Sequence, residues 1–307
     1  MFSKLQHEID ATIRRLGRMS FKVKMQLSGD KRPSSSPYIS GDSFRKLADH
    51  IYDEQIKLDP KKVQLGDIVF VGQELIHEYF TTVHPHITAR YILICHNGDV
   101  TVDEKITNFV DDKIIHFFAQ DLVVDNEKIT PIPIGIENLH FYIAGVVPFF
   151  KKLQAKIINH PPLRKDKIFF NFSISTNPEE RGPAKEYFLV HPLMETVERF
   201  MTPRRHSKIL TTYKFVASPP GHAIESCRTW EALYLDTIPI VKDFVAMRYF
   251  KSLGLPIWIV RDWKELEGLT EKDLAEKYTS IMVNSSKEAL YMDFWKKKII
   301  NMQNKVR

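Results

Sequence analysis

Apolar and polar positions change period repeatedly along the chain. Over residues 4–19, Leu5, Ile9, Ile13 and Leu16 recur at helical spacing among charged residues, which predicts a short amphipathic helix. A polar loop follows at 29–37. Short apolar runs then alternate with helical spacing: a strand end at 38–40, a helix at 44–54, a strand at 67–72 and a helix at 74–82. A strand at 90–95, a short helix at 103–109, a strand at 113–119 and an extended run at 130–136 continue the series. A long helical pattern at 138–159, interrupted by Pro148, leads to a Pro-rich linker at 161–165. A second alternation has strands at 167–172, 214–218, 238–241 and 256–260. Between and after them come polar loops at 177–181 and 219–225, and helices at 183–189, 194–201, 226–235, 264–266, 271–277 and 287–304.

Apolar strands alternating with helices predict an α/β fold with parallel sheets covered on both faces. Two successive alternations predict two Rossmann-like domains with a cleft between them, the first over 1–160 and the second over 161–286. In such sheets ligands sit at the carboxyl ends of the strands.

Composition narrows the class. Apolar residues at 43% and charged residues at 27% exclude bulk disorder. Two cysteines, Cys95 and Cys227, cannot build a disulfide framework. No run is long and apolar enough to span a membrane, and the N-terminus lacks the apolar core of a signal peptide, so a cytoplasmic chain is expected. The 44 basic and 38 acidic residues leave a charge of +6. Arg14, Arg15, Arg18, Lys22, Lys24, Lys31 and Arg32 form one basic cluster, and Lys296, Lys297 and Lys298 another. These suit either plain solvated surface or peripheral contact with an anionic membrane. No zinc-finger, RNP or helix-turn-helix signature supports nucleic acid as a partner.

The most informative stretch is SPPGHAIESCRTWEALYLDTIPIV, residues 218–241. A strand ends at Ser218, Pro219 and Pro220 fix a loop, and Gly221 permits close backbone approach or positive φ. Ser226 can cap the next helix, whose N-terminus suits phosphate, and Arg228 adds a forked cation in its first turn. Glu231, one turn deeper, suits the vicinal hydroxyls of a ribose. The same spacing also fits an ordinary strand–loop–helix with an intrahelical Arg228–Glu231 pair.

That stretch, together with LPIWIVRDW at 255–263, resembles the C-terminal signature of exostosin-like glycosyltransferases over about 50 residues, 214–263. Cys227 stands where the family usually has His, and Asp236 where it usually has Gly. The resemblance implies the two-domain arrangement called GT-B, with an acceptor domain, a nucleotide-sugar domain and a last helix, 287–307, crossing back to the first domain. It implies an inverting transfer from a nucleotide-sugar donor, a UDP- or GDP-sugar, to a glycan, a lipid-linked glycan or another hydroxyl acceptor. Ser218, Gly221, His222, Ser226, Arg228 and Glu231 would then form the donor site, with Glu231 on the ribose and Arg228 near the diphosphate.

Further candidates follow from that chemistry. Arg181 follows the first strand of the second domain and could stabilise a leaving diphosphate, or be a solvated loop arginine. An inverting transfer needs a base for the acceptor proton. Asp42, after the first strand, ranks first and Asp99 second, with Asp121 behind them; each equally suits a helix cap or a turn. His96 is an alternative base or a ligand to acceptor hydroxyls, and IGIEN at 134–138 resembles a cleft loop of related transferases, which implies Glu137 as a ligand to sugar hydroxyls. The sequence holds no Asp-x-Asp pair, so a metal and other cofactors are not expected. A catalytically inactive sugar- or nucleotide-binding module, or a scaffold subunit, is the alternative from another class, and a phospho-sugar epimerase a third.

Overall fold

A computed structural model describes residues 12, 16, 19, 31–197 and 201–307. The helix expected over 4–19 and the basic residues 14, 15, 18, 22 and 24 fall outside the described residues, apart from Thr12, Leu16 and Met19. The chain is mixed α/β with two parallel five-stranded sheets. The first runs in chain order: β1 (His50–Tyr52), β2 (Ile68–Gly72), β3 (Tyr91–His96), β4 (Ile114–Ala119) and β5 (Ile129–Pro131). The second contains β6 (Lys165–Phe169), β7 (Met194–Glu195), β8 (Tyr213–Ala217), β9 (Ile238–Lys242) and β10 (Trp258–Val260), in the order β10-β9-β8-β6-β7. The main helices are α1 (Gly41–Arg45), α2 (Val147–Asn159), α3 (Pro178–Val190), α4 (Pro203–Leu210), α5 (Cys227–Tyr234), α6 (Val245–Ser252), α7 (Glu271–Val283) and α8 (Met292–Asn304).

Strand alternation sorts the core into layers. Val69 and Val71 of β2 face one cluster with Tyr79, Phe80 and Ile106, while Ile68 and Phe70 face another. In the second sheet Phe215 and Ala217 face Phe188 and Leu274, while Tyr213 and Val216 turn to the same cluster as Phe70. One apolar layer, holding Phe44, Phe150, Trp230, Phe250 and Trp295, therefore touches both sheets. Helix α8 reaches from one half to the other: Trp295 packs on Phe44 and Phe250, and Gln303 Nε2 donates to Gly66 O at 3.0 Å.

The structure departs from the sequence reading at several elements. The helix expected over 44–54 is the short α1 followed by strand β1. Leu47 and Ile51 fit helical spacing, but Asp49 pairs with Ile68 through both its backbone N–H and its carboxylate, each at 2.9 Å, and draws the chain onto the sheet. Residues 38–40 are no sheet strand: Tyr38 bridges Tyr291, and Ile39 N donates to Tyr234 Oη at 3.0 Å. Residues 178–181 belong to α3 rather than a loop, because Asn177 caps its N-terminus with Pro178 behind it. Met194 and Glu195 pair with β6, so 194–201 does not start as a helix. Pro148 opens α2 instead of interrupting it. Helices α4 and α6 were not anticipated, although Thr202 before Pro203 is a start signal.

Candidate functional site

The carboxyl ends of the two sheets converge. From the first half come the ends of β3 and β4 and the loop after β5; from the second comes the loop between β8 and α5. Glu225 Oε2 accepts from Ile134 N at 3.3 Å across the divide, and the backbone N–H groups of Ile224 and Glu225 face Asp121. A cavity of about 400 Å³ opens there, lined among others by His96, Asn97, Asp99, Glu137, His140 and Cys227.

On the second half, Ser218 directly follows β8 and its Oγ bonds Thr229 Oγ1 at 2.7 Å. Ser226 occupies the N-cap of α5 in extended conformation but makes no side-chain cap bond; its Oγ lies 3.4 Å from Ser218 Oγ. Arg228 is exposed, and its Nη1 donates to Asn171 O at 2.8 Å. It borders a second cavity of about 460 Å³, with Lys185 and Ser173 on the wall. Glu231 is only 4% exposed, yet its carboxyl makes no hydrogen bond to a described residue; His206 Nδ1 lies 4.0 Å away. Burial pushes its carboxyl up to about 7, against the pull of Arg228 and with the push of Glu137 from the first half. His206 beside it is pushed down to about 3 by burial and by Arg228, and its Nε2 is unpartnered.

Arg181 is spent on structure. Its Nε donates to Pro220 O at 2.7 Å, Nη2 to Pro219 O at 3.1 Å, and Nη1 to Ser173 O at 3.1 Å and Thr176 Oγ1 at 2.5 Å. Four of its five N–H donors are thus consumed, and burial lowers it to about 10. The sequence reading that aims it at a diphosphate is corrected: it is the pin of the Pro219–Pro220 loop. Gly221 serves that pin. Its φ is not positive, and a Cβ there would lie 3.1 Å from Arg181 Nη2.

On the first half, Asp42 is fully buried at the start of α1. Its Oδ1 accepts from Arg32 Nε at 2.8 Å and Asn97 Nδ2 at 3.2 Å, and its Oδ2 faces His140 Nδ1 at 2.5 Å. Gly41 allows this approach, since a Cβ there would collide with Asn97 and His96. Arg32, read in the sequence as part of a basic surface cluster, is 5% exposed and also pairs with Glu54 at 2.5 Å. Lys296 and Lys297 are exposed, and Lys298 sits over the Tyr249 ring. His96 has both nitrogens engaged: its Nε2 faces Pro133 O at 3.1 Å, its Nδ1 accepts from Asn97 N at 2.6 Å, and burial lowers it to about 4. That leaves neither nitrogen for an acceptor. Glu137 Oε2 accepts from Ile143 N at 3.2 Å and Ala144 N at 2.6 Å, holding its own loop together. Asp99 is exposed and stands 3.6 Å from the exposed His222 across the cleft. Asp121 is buried against Glu225; burial raises both carboxyls, with Asp99 pushing on Asp121 and Asp121 pushing on Glu225.

The sequence reading missed Arg32, His140, His206 and Glu225 as members of this region. Glu225 lies inside the 218–241 stretch and His140 three residues beyond Glu137, whereas Arg32 and His206 carry no signal that separates them from other basic residues. Among the described residues no group of three or more potential ligands is placed to hold a metal, and no helix is long and apolar enough to cross a membrane.

No family model matches the chain, and no curated protein matches it. Among solved structures, it is similar to the crystal structure of a GtfA/B complex at 10% identity and a TM-score of 0.31, covering 79% of this chain. The chain spans 58% of that protein's length.

Proposed function

We propose that this protein is an inverting glycosyltransferase of the exostosin-like kind, moving a sugar from a nucleotide-sugar to a hydroxyl acceptor such as a glycan or lipid-linked glycan. The observation that carries the reading is Glu231. Glu231 is 4% exposed, and no described residue donates a hydrogen bond to its carboxyl, an arrangement retained where a ligand supplies the donors. Two vicinal ribose hydroxyls are such donors. Arg228 and the uncapped end of α5 then meet the diphosphate, at the carboxyl edge where parallel sheets bind ligands. These groups meet the diphosphate charge without a metal, and EDTA insensitivity is part of the proposal.

One observation favours a binding module without turnover: Asp42 and His96, two of the expected site groups, have their polar side-chain atoms engaged by neighbouring residues of the protein. Thermal shift with UDP-, GDP-, CMP- and dTDP-sugars, with and without EDTA, followed by nucleotide release, separates the readings. Ligand at a hundredfold excess over Kd stabilises by about 2.7 kcal/mol. A shift with one donor class and release of its nucleotide supports transfer. A shift without release supports the binding module. No shift with any donor overturns both.

A further inference from the structure

We propose that His140 takes the acceptor's proton through Nε2, with Asp42 as its positioning residue; this rests on the glycosyl-transfer reading above. The two residues stand 98 positions apart in the chain and meet at 2.5 Å between Nδ1 and Oδ2. Asp42 cannot rotate away. Arg32 and Asn97 occupy its other oxygen, and its backbone N–H donates to Asn138 Oδ1 at 2.8 Å. Asn138 Nδ2 in turn donates to Asn97 Oδ1 at 2.8 Å, which closes the ring of bonds. A carboxylate accepts, so the proton of the imidazole sits on Nδ1 and the lone pair on Nε2. Nε2 has no partner among the described residues, and His140 lines the cavity where the two halves meet.

The loop carrying His140 is held firmly. Glu137 ties down Ile143 and Ala144, and Gly145 lies so close to Glu137 O that a Cβ would collide with it. The neighbouring candidates are less suited: His96 has both nitrogens engaged, Asp121 is buried against Glu225, and Asp99 is exposed, with the exposed His222 beside its carboxylate. Placement of a base by a buried acid follows the logic of other acid–histidine pairs.

The step balances as a displacement. The acceptor oxygen forms a bond to the sugar's anomeric carbon, and the bond from that carbon to the phosphate oxygen breaks. Its electron pair leaves with the nucleoside diphosphate. The hydroxyl proton passes to His140 Nε2, the imidazolium rests against Asp42, and solvent removes the proton afterwards.

The test compares the full chain with H140A and D42N, using UDP-glucose, UDP-N-acetylglucosamine, GDP-mannose and dTDP-rhamnose as donors and p-nitrophenyl glycosides as acceptors. H140A is expected to lose about a thousandfold in kcat, with donor Kd within twofold and partial rescue by added imidazole. D42N is expected to lose activity without imidazole rescue, because the ring still fills the site. An H140A enzyme that keeps a tenth of its activity, weakens donor binding in step with activity, or ignores imidazole overturns the role of His140 and leaves the transfer reading standing. A wild-type protein that releases no nucleotide overturns both. Independently of activity, long-range proton–nitrogen NMR of the wild type should show His140 protonated on Nδ1; a proton on Nε2 overturns the proposal.

Discussion

Replacing Glu231 by Gln should stabilise the protein while removing donor binding. The perturbation keeps the shape of the side chain and deletes its charge. Glu231 is 4% exposed and its carboxyl rises to about 7 from an ordinary 4.5, with burial the dominant cause. The folded state therefore holds a proton that the unfolded chain has released between those two values. Stability falls as pH rises through that window, and above pH 7 the charged carboxylate costs about 3 kcal/mol at 1.36 kcal/mol per pH unit. At pH 8, E231Q should gain that amount, a rise in Tm of about 5 °C for a chain of this size. At pH 5, where most of the native carboxyl is already protonated, the gain should fall below about 1 kcal/mol. Thermal unfolding of both proteins at the two pH values measures this directly. An equal gain at both values, or none at pH 8, would refute the reasoning, because the carboxylate would then have partners that offset its burial. Greater stability at the expense of ligand binding is the behaviour of a binding residue held in a costly environment.

Arg228→Ala should weaken UDP by 10- to 100-fold in calorimetry, the worth of about 1.5–3 kcal/mol for a charge-assisted bond to phosphate. Arg181→Lys keeps the charge but loses the fork that ties Pro219 and Pro220, and should cost about 3 kcal/mol in urea unfolding. Asp121→Asn should raise Tm at pH 8 and leave it nearly unchanged at pH 4, because burial beside Glu225 raises the Asp121 carboxyl and its ionisation weighs on the folded state only as pH rises.

The parts of this fold legible in the sequence are those fixed locally. Pro219, Pro220 and Gly221 punctuate the end of β8, and Ser226 marks the start of α5, so both boundaries can be placed within a residue or two. Strand β1 is not legible, because Leu47 and Ile51 satisfy a helix as well as an edge strand and only pairing with Ile68 decides. Arg181 shows the same limit for chemistry. Its type and place after β6 suggest an anion site, but two of its four acceptors lie 38 and 39 residues further on, and no spacing rule reaches that far. The Asp42–His140 contact is likewise a product of topology. Each residue alone is an ordinary helix-start acid or loop imidazole, and the chemistry arises only when the loop after β5 folds over α1.

The apolar layer that touches both sheets has a consequence for synthesis. Ile68, Phe70, Ile92, Ile94 and Phe118 present one face of the first sheet, and Trp295 and Ile299 of α8 belong to the cluster that covers it. A ribosome adding about 5–20 residues per second needs roughly 10–30 s to pass from β5 to the end of α8. Throughout that interval the nascent first sheet lacks part of its cover, so apolar surface that the finished fold buries stays open to water until α8 is made.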